Sequence, residues 1–196
     1  MRHLSAILAI AAAILAFGPA AALAEAQGGG ANNFVLATTT ADGSDMARSG
    51  LQTALVGGDT LASSNIADAE AHDCTGCRSV AVAVQAVFNT GDASTVAPSN
   101  AAVASNANCT SCGSFAYAYQ YVVTTAGPVR LSPAGRAEIQ ADRDAIAAAA
   151  ASGLPFDQLD ARLQGLTAEF KADVDRELVL AGNPGTGSVR QQVSVR

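Results

Sequence analysis

The chain has 196 residues, of which 49% are hydrophobic and only 14% charged, and its formal net charge is −6. Three tyrosines, six phenylalanines and no tryptophan are present, so a core has to rest on alanine methyls and branched aliphatic side chains rather than large rings. This composition excludes a collagen, a coiled-coil array and a disordered tail.

The first 24 residues have the pattern of a secretory signal peptide. A basic start at Arg2 precedes an apolar run from Leu4 to Phe17, a Gly18-Pro19 break and an A-x-A site ending at Ala24. No cysteine follows Ala24 directly, and no later segment approaches the roughly 20 apolar residues of a membrane helix. The sequence therefore predicts a secreted, extracellular protein that does not insert into a membrane once residues 1–24 are cleaved.

The charge pattern bears on partners and source. Residues 25–196 contain ten basic and seventeen acidic side chains, and no basic cluster is present. Nucleic acid and anionic membrane surfaces are therefore disfavoured as partners on electrostatic grounds. Ten arginines against one lysine indicate a GC-rich bacterial genome.

Self-similarity is the strongest signal in the chain. Residues 65–88 align with residues 100–123 at an offset of 35, which matches an asparagine, a C-x-x-C motif and a glutamine in each copy. A third, degenerate copy lies upstream at an offset of 33, where Asn32 and Gln52 keep the same separation and no cysteine occurs.

Each copy has the pattern of a β-hairpin. Asp42-Gly43 between alternating segments is a strong two-residue turn signal, because a type I′ turn needs positive φ at both central residues. The alignment places Thr75-Gly76 and Thr110-Ser111 at the other two tips, and Thr-Ser is the poorest turn of the three. The predicted fold class is α+β, with an antiparallel sheet of three repeated hairpins.

The hairpin register assigns side chains to faces. It places Ala67, Ala69 and Ala71 with Val80, Val82 and Val84 on one apolar face, which in the other copies carries Phe34, Leu36, Leu51, Phe115, Tyr117, Tyr119 and Tyr121. The tyrosine stripe is interpreted as core in preference to a glycan or peptide platform. A stacked solenoid that forms ladders of Asn and Gln side chains is the structural alternative.

The pattern changes to helical spacing after Gly127-Pro128. Ser132-Pro133 predicts the start of a helix that ends near Ser152. A second helix is predicted to run from Pro155 to near Gly182, with its apolar stripe at Leu159, Leu163, Leu166, Phe170, Val174 and Leu178. The predicted organisation is a signal peptide (1–24), a linker (25–31), a hairpin domain (32–126), a covering helical hairpin (127–182) and a flexible tail (183–196).

Four cysteines in an exported protein predict disulfides first. Each C-x-x-C flanks a two-residue turn, so Cys74 is expected to bond Cys77, and Cys109 to bond Cys112. Such short loops contribute only about 2 kcal/mol in the chain-entropy model. The first copy lacks both of its cysteines, as expected if each pair is self-contained.

Two sharper chemistries remain open for the same four cysteines. Two C-x-x-C knuckles could bind zinc, although the 31-residue separation exceeds the usual spacing of zinc ribbons. Thiol–disulfide redox chemistry would need a lowered thiol pKa, and His72, on the strand before Cys74, could activate that cysteine. Asp42 and Asp45 around one tip and Asp73 beside another could bind calcium, but three carboxylates spread over two hairpins also fit a solvated acidic rim.

Nothing in the motifs predicts an enzyme. No H-E-x-x-H, G-x-S-x-G or phosphate-binding loop occurs, and His72 is the only histidine after the predicted cleavage site.

The chain resembles a group of uncharacterised bacterial exported proteins with the paired form N-x-A-x-A…C-x-x-C…A-x-A-x-Q followed by G-P-V-R-[LF]-[ST] and two helices. The match runs from Asn65 through both C-x-x-C motifs to Gln120 and on to the segment 127–132. Some members carry the label peptide zinc metalloprotease, for which this sequence offers no supporting residues. The resemblance implies no established function.

The sequence therefore predicts an exported structural or binding module with hairpin tips stapled by disulfides and no cofactor. Its expected partner is a protein or a cell-envelope component. The alternative is a zinc-binding or redox protein that uses the same four cysteines.

Overall fold

The protein is described here by a computed structural model that covers residues 26–27, 31–91, 93, 95–182 and 185–196. The predicted signal peptide lies outside the described residues. The strands are β1 Ala26–Gln27, β2 Asn32–Thr39, β3 Asp45–Gly57, β4 Thr60–Leu61, β5 Ser64–His72, β6 Arg78–Thr90, β7 Thr95–Val96, β8 Ser99–Ala107, β9 Gly113–Thr125 and β10 Thr186–Val195, and the helices are α1 Pro133–Ala150 and α2 Phe156–Leu180.

The strands form stacked parallel coils, and the predicted antiparallel sheet of hairpins is wrong. Strands β2, β5 and β8 pair in parallel in one sheet, here called the front sheet. Strands β3, β6 and β9 pair in parallel in a second, the central sheet, whose order is β1-β3-β6-β9-β10. The two strands of one copy therefore lie in different sheets and do not pair with each other; together they form one coil.

The second and third coils pair with a constant offset of 35 residues in both sheets, from Ser64↔Ser99 to Thr90↔Thr125. This is the offset at which the two C-x-x-C segments align in the sequence. Short strands β4 and β7 pair in parallel at the opposite end of the coils from the C-x-x-C motifs.

Alanine methyls fill the space between the two sheets. Ala67 and Ala69 of the front sheet pack with Ala81 and Ala83 of the central sheet, and the neighbouring coils repeat this contact. The predicted association of the alanines with Val80, Val82 and Val84 on one face is wrong, because those valines point the other way, toward the helices. Strand β6 is consequently buried on both faces, as is typical of a parallel strand covered by two layers.

Two of the residues predicted for the apolar core face lie on the surface. Phe34 is 60% exposed and Leu36 is 46% exposed, whereas Leu51 is buried beneath the helices. The reason is geometric. In stacked coils the strands before and after the turn belong to opposite sheets, so Phe34 and Leu36 point away from the core while Leu51 points toward the third layer.

Side-chain amides form two ladders along the stack of coils, partly buried in the first coil and buried in the second and third. Asn33 Nδ2 donates to Asn65 Oδ1 at 2.8 Å, and Asn65 Nδ2 donates to Asn100 Oδ1 at 2.8 Å. A second ladder joins Gln120, Gln85 and Gln52 at 2.8 and 3.1 Å.

The sequence alignment of the first copy at Asn32 is off by one residue. Asn33, not Asn32, pairs with Asn65 in β2 and β5, while Gln52 pairs with Gln85 as aligned. The first coil is therefore one residue shorter at its turn. Asp73 and Asn108, which have positive φ of 55° and 52° in the other two coils, have no counterpart there.

Helices α1 and α2 begin and end close to the predicted positions and cover the central sheet. Ser132 caps α1, and its Oγ accepts a hydrogen bond from Gly135 N. Glu177 near the end of α2 accepts from Ser132 N at 2.8 Å, which ties the two helices together. All six residues of the predicted α2 stripe are buried. Within the described residues, neither helix is long and apolar enough to cross a membrane.

Asp142 is a buried acid between the two helices. One of its carboxylate oxygens has no hydrogen-bond partner among the described residues. Burial, followed by the nearby charges of Asp173, Glu169 and Glu138, raises the pKa of Asp142 to about 6, against a partial opposing effect of Arg176.

We expect Asp142→Asn to remove a pH-dependent loss of stability. Because the folded pKa lies above the unfolded value of 3.8, this carboxyl contributes stability that is fully present below about pH 4 and is lost as the pH rises through 6. The variant should gain about 1–2 kcal/mol on wild type between pH 4 and pH 7, measured by urea denaturation. Asp144→Asn, exposed on the same helix, is the control; an equal wild-type–variant difference at both pH values would contradict the assignment.

The C-terminal residues form an ordered strand, so the predicted flexible tail is incorrect over β10. This strand pairs antiparallel with β9 from Thr186↔Thr124 to Val195↔Phe115. Gln192 Oε1 and Ser194 Oγ accept hydrogen bonds from Ala102 N and Ala104 N of β8. Strand β10 therefore covers the last coil because it hydrogen-bonds the backbone groups that the edge of that coil would otherwise leave unpaired. This role requires no apolar periodicity in the tail.

The first coil, at the end of the stack away from β10, is covered among the described residues only by the two-residue strand β1 and carries a charged side chain at its edge. The predicted linker includes β1, which pairs with β3 at Val56 and Gly57. Arg48 of β3 occupies the position held by Ala81 in β6 and Ala116 in β9. Arg48 is exposed, and a charged side chain on an edge strand disfavours addition of a further strand.

Candidate functional site

The two C-x-x-C motifs lie in the turns that join the front and central sheets, here called the cysteine arcs (73–77 and 108–112). Gly43, Gly76 and Ser111 have positive φ of 66°, 67° and 56° at equivalent positions of the three turns. These are the predicted tips Asp42-Gly43, Thr75-Gly76 and Thr110-Ser111. They reverse the chain between two sheets rather than within a hairpin.

Ser111→Gly is expected to stabilise the protein by about 1 kcal/mol. A left-handed conformation strains a residue with a Cβ and costs glycine almost nothing. Thermal unfolding would measure the gain, and the matched change Gly76→Ala should destabilise by a similar amount although a Cβ there would meet no atom within 4 Å. A loss of stability in Ser111→Gly would contradict the strain argument.

Backbone hydrogen bonds stack the arcs on one another. Gly43 N donates to Thr75 O and Gly76 N donates to Thr110 O, both at 2.8 Å. A parallel bridge joins Thr75 to Thr110. The stacking places equivalent side chains of successive arcs side by side, and this is what brings the two cysteine pairs together.

All four cysteine sulfurs lie within 4.8 Å of one another. The inner pair, defined as Cys74 and Cys77, is at disulfide distance with its Cα atoms 6.3 Å apart. The outer pair, defined as Cys109 and Cys112, is also at disulfide distance, with its Cα atoms 5.8 Å apart. Both cysteines of the inner pair are buried: Cys74 is 4% exposed and Cys77 is 2% exposed. The outer pair is half-buried at the end of the stack. The sequence placed each pair at a turn, but it did not reveal that the pairs touch.

The cluster has two chemical states open to it. Oxidised, it holds two disulfides that each close one arc. Reduced, it presents four thiols at the spacing of a tetrahedral thiolate site, because zinc–sulfur bonds of about 2.3 Å place the sulfurs a little under 4 Å apart. Both arcs lie between strands rather than at a helix N-terminus, so the helix dipole that activates thioredoxin-like cysteines has no counterpart here.

The polar residues near the arcs hold the turns in place. Asp42 Oδ1 accepts from Thr75 N at 2.7 Å, and Asp45 lies 3.6 Å from Arg78. Asp73 accepts from Asn108 Nδ2 at 3.0 Å and contacts His72 Nδ1 at 3.2 Å; these hydrogen bonds lower its pKa.

Each aspartate of the calcium hypothesis therefore has its own protein partner. In the part of the chain that the structure describes, the cysteines are the one group whose geometry could hold a metal. His72 hydrogen-bonds Asp73 and has no described hydrogen bond to a sulfur, so the structure does not bring together the histidine and cysteine of the redox hypothesis.

The tyrosine stripe is part of the core. Tyr117, Tyr119 and Tyr121 are buried under the helices, and Tyr117 Oη lies 2.9 Å from Thr167 Oγ1. Burial raises the pKa of Tyr117 to about 12. These rings are unavailable as a binding platform.

Sequence reasoning missed the outer face of the front sheet. This face carries exposed Phe34 and Leu36 on β2, and Val103 on β8 is 47% exposed on the other side of β5. Asp68 pairs with Leu36 in the neighbouring strand, and its Oδ1 is buried without a hydrogen-bond partner among the described residues. Burial, and then the charge of Glu70, raises the pKa of Asp68.

Comparison with protein-family models, with curated proteins and with solved structures found no match to this chain. The function of the cluster and of the outer face has therefore to be argued from their own residues.

Proposed function

We propose that the protein is an exported structural and binding module whose coils are closed by two disulfides at the cysteine arcs. The observation that carries this proposal is that each C-x-x-C pair lies at disulfide distance within its own arc. The predicted signal peptide supports it, because exported proteins reach an oxidising environment in which such pairs persist. The resemblance to exported bacterial proteins supports export and implies no function.

The intact mass of the exported protein tests the proposal. We expect a mature chain that starts at Glu25 and weighs four hydrogens less than the fully reduced form, with no bound metal. Treatment with a reductant should restore the four hydrogens. A chain recovered with residues 1–24 attached, or with four free thiols, would overturn the proposal.

The binding part of the proposal rests on the outer face of the front sheet. Phe34 and Leu36 are exposed on the same face of one strand, and contiguous exposed apolar side chains mark interaction sites. In the neighbouring strand Asp68 pairs with Leu36 and Glu70 pairs with Thr38, and Asp68 Oδ1 has no hydrogen-bond partner among the described residues. Charge complementarity therefore favours a protein partner whose surface presents apolar and basic side chains together.

A designed peptide pair tests this face. A peptide of alternating leucine and lysine should bind the exported protein at physiological salt, and a peptide of alternating leucine and glutamate should not. The double variant Asp68→Asn/Glu70→Gln should bind the lysine peptide about tenfold more weakly, while Asp144→Asn on α1 leaves binding unchanged. An equal loss of peptide binding in both variants would mean that net charge alone causes the effect, and would contradict binding at the outer face of the front sheet.

The second candidate is a metal site formed by the four thiols, and one observation favours it. Cys74 Sγ lies 3.6 Å and 3.9 Å from the two sulfurs of the outer pair, close to the spacing in a four-thiolate zinc site. Each pair would have to be reduced for its own sulfurs to separate to that spacing. Four reduced thiols with one equivalent of zinc in the mass measurement would establish this candidate in place of the first.

A further inference from the structure

One sulfur of the inner pair lies against the outer pair. Cys74 Sγ is 3.6 Å from Cys109 Sγ and 3.9 Å from Cys112 Sγ. Cys77 Sγ instead lies 3.2 Å from Ala41 O of the first coil. All four sulfurs lie within 4.8 Å of one another, and Cys74 is the inner sulfur in direct contact with the outer pair.

The two pairs also differ in their access to solvent. The inner pair is enclosed between the turn of the first coil and the outer pair, and almost none of it is exposed. The outer pair belongs to the last arc of the stack and is half-buried. A thiol in solution can reach the outer pair directly but cannot reach the inner pair without opening the coils, because exchange requires access to the attacked sulfur.

We propose that the two cysteine pairs form an intramolecular disulfide relay, in which the outer pair exchanges with dithiols in solution and passes the exchange to Cys74. The proposal rests on the disulfide state proposed above. It adds a function to the staples, since a pair that is sealed inside the protein can then be oxidised or reduced without unfolding.

The relay consists of two exchange steps that follow reduction of the outer pair by an external dithiol, which is itself oxidised to a disulfide. The thiolate of Cys109 attacks Cys74 Sγ, so that a Cys74–Cys109 bond forms, the Cys74–Cys77 bond breaks and Cys77 leaves as a thiolate. The thiolate of Cys112 then attacks Cys109 Sγ, which re-forms the outer disulfide and releases Cys74. Two electrons end on the inner pair, and its two thiolates take up the protons that the outer thiols released. The same steps in reverse would oxidise the inner pair during folding.

A trapping variant tests the first exchange step. Cys77→Ser/Cys112→Ser leaves Cys74 and Cys109, which we expect to bond in air with loss of two hydrogens. Trypsin cleaves after Arg48, Arg78 and Arg130, so this bond would join peptides 49–78 and 79–130, which no bond within a C-x-x-C motif can do. The matched control Cys74→Ser/Cys112→Ser leaves Cys77 and Cys109, and we expect it to cross-link more slowly and to a smaller extent, because Cys77 Sγ lies against Ala41 O. Equal cross-linking in both variants, or none in the first, would overturn the relay.

Reduction of the intact protein provides a second measurement that does not depend on the folding of the trapping variants. In the variant Cys109→Ser/Cys112→Ser, a dithiol should reduce the inner pair at least about tenfold more slowly than it does in the wild-type protein. Alkylation of the free thiols followed by peptide mapping measures both rates. Equal rates would show that the outer pair passes nothing inward. If the wild-type protein instead carries no disulfides at all, the proposed function fails together with the relay, whereas two disulfides without cross-linking in the trapping variant defeat the relay alone.

Discussion

Replacement of Phe170 by alanine should lower the free energy of unfolding by about 3–5 kcal/mol. Phe170 lies at the centre of the α2 stripe and is fully buried in the cluster that joins the helices to the central sheet. The substitution removes a large apolar surface and leaves a cavity that the rigid parallel sheet beneath it cannot collapse to fill. Chemical denaturation would measure the loss.

Val179→Ala is the matched control on the same helix. Val179 is 65% exposed, so its truncation should change stability by no more than about 0.5 kcal/mol. Similar losses in the two variants would mean that α2 does not cover the sheet through its apolar stripe.

Replacement of Asn65 by alanine should cost about 3 kcal/mol, because it breaks the asparagine ladder at its middle. Asn65 is fully buried, accepts from Asn33 Nδ2 and donates to Asn100 Oδ1. Its removal takes the Asn65 donor away from Asn100 Oδ1 and from the carbonyls of Ala83 and Tyr119, whereas Asn33 Nδ2 keeps the carbonyl of Val84. Each buried polar group left unsatisfied costs about 1–3 kcal/mol.

Asn32→Ala distinguishes the ladder from a general effect of the asparagines. Asn32 is exposed next to the ladder, and its replacement should be nearly neutral in the same denaturation experiment. A large effect at Asn32 together with a small effect at Asn65 would contradict the register of β2 on β5.

The alternation of side chains was readable from the sequence, but the pairing of the strands was not. Alternation shows which residues of one strand share a face. As it requires, Ala81 and Ala83 lie on one face of β6 and Val80 and Val82 on the other. It does not state which other strand provides the hydrogen bonds. A turn such as Asp42-Gly43 reverses the chain equally well within one sheet or between two sheets.

The same ambiguity explains the errors on individual residues. Phe34 and Leu36 are core residues in a hairpin and surface residues in a stacked coil, because the two folds turn opposite faces of β2 toward the helices. The tail gave no signal because β10 is held by the backbone groups of β9 and by side-chain acceptors to β8, and these contacts require no apolar periodicity.

The candidate site, like the fold, could be predicted from the sequence only in part. The position of each C-x-x-C motif at a turn could be predicted from spacing, and the two cysteines of each motif lie at disulfide distance. The contact of Cys74 with Cys109 and Cys112 depends on the stacking of two arcs that are 35 residues apart, which spacing within one motif does not show.

The sequence by itself determined the two helices, their buried stripe and the turn position of each C-x-x-C motif, because these features depend on residues close together in the chain. The tertiary structure alone decided that the coils stack in parallel, that alanine methyls and amide ladders fill the space between the sheets, and that the four sulfurs meet. The physical reason is that backbone hydrogen bonds join any two strands of suitable direction, so the choice of partner is made by the packing of whole layers and not by any local pattern.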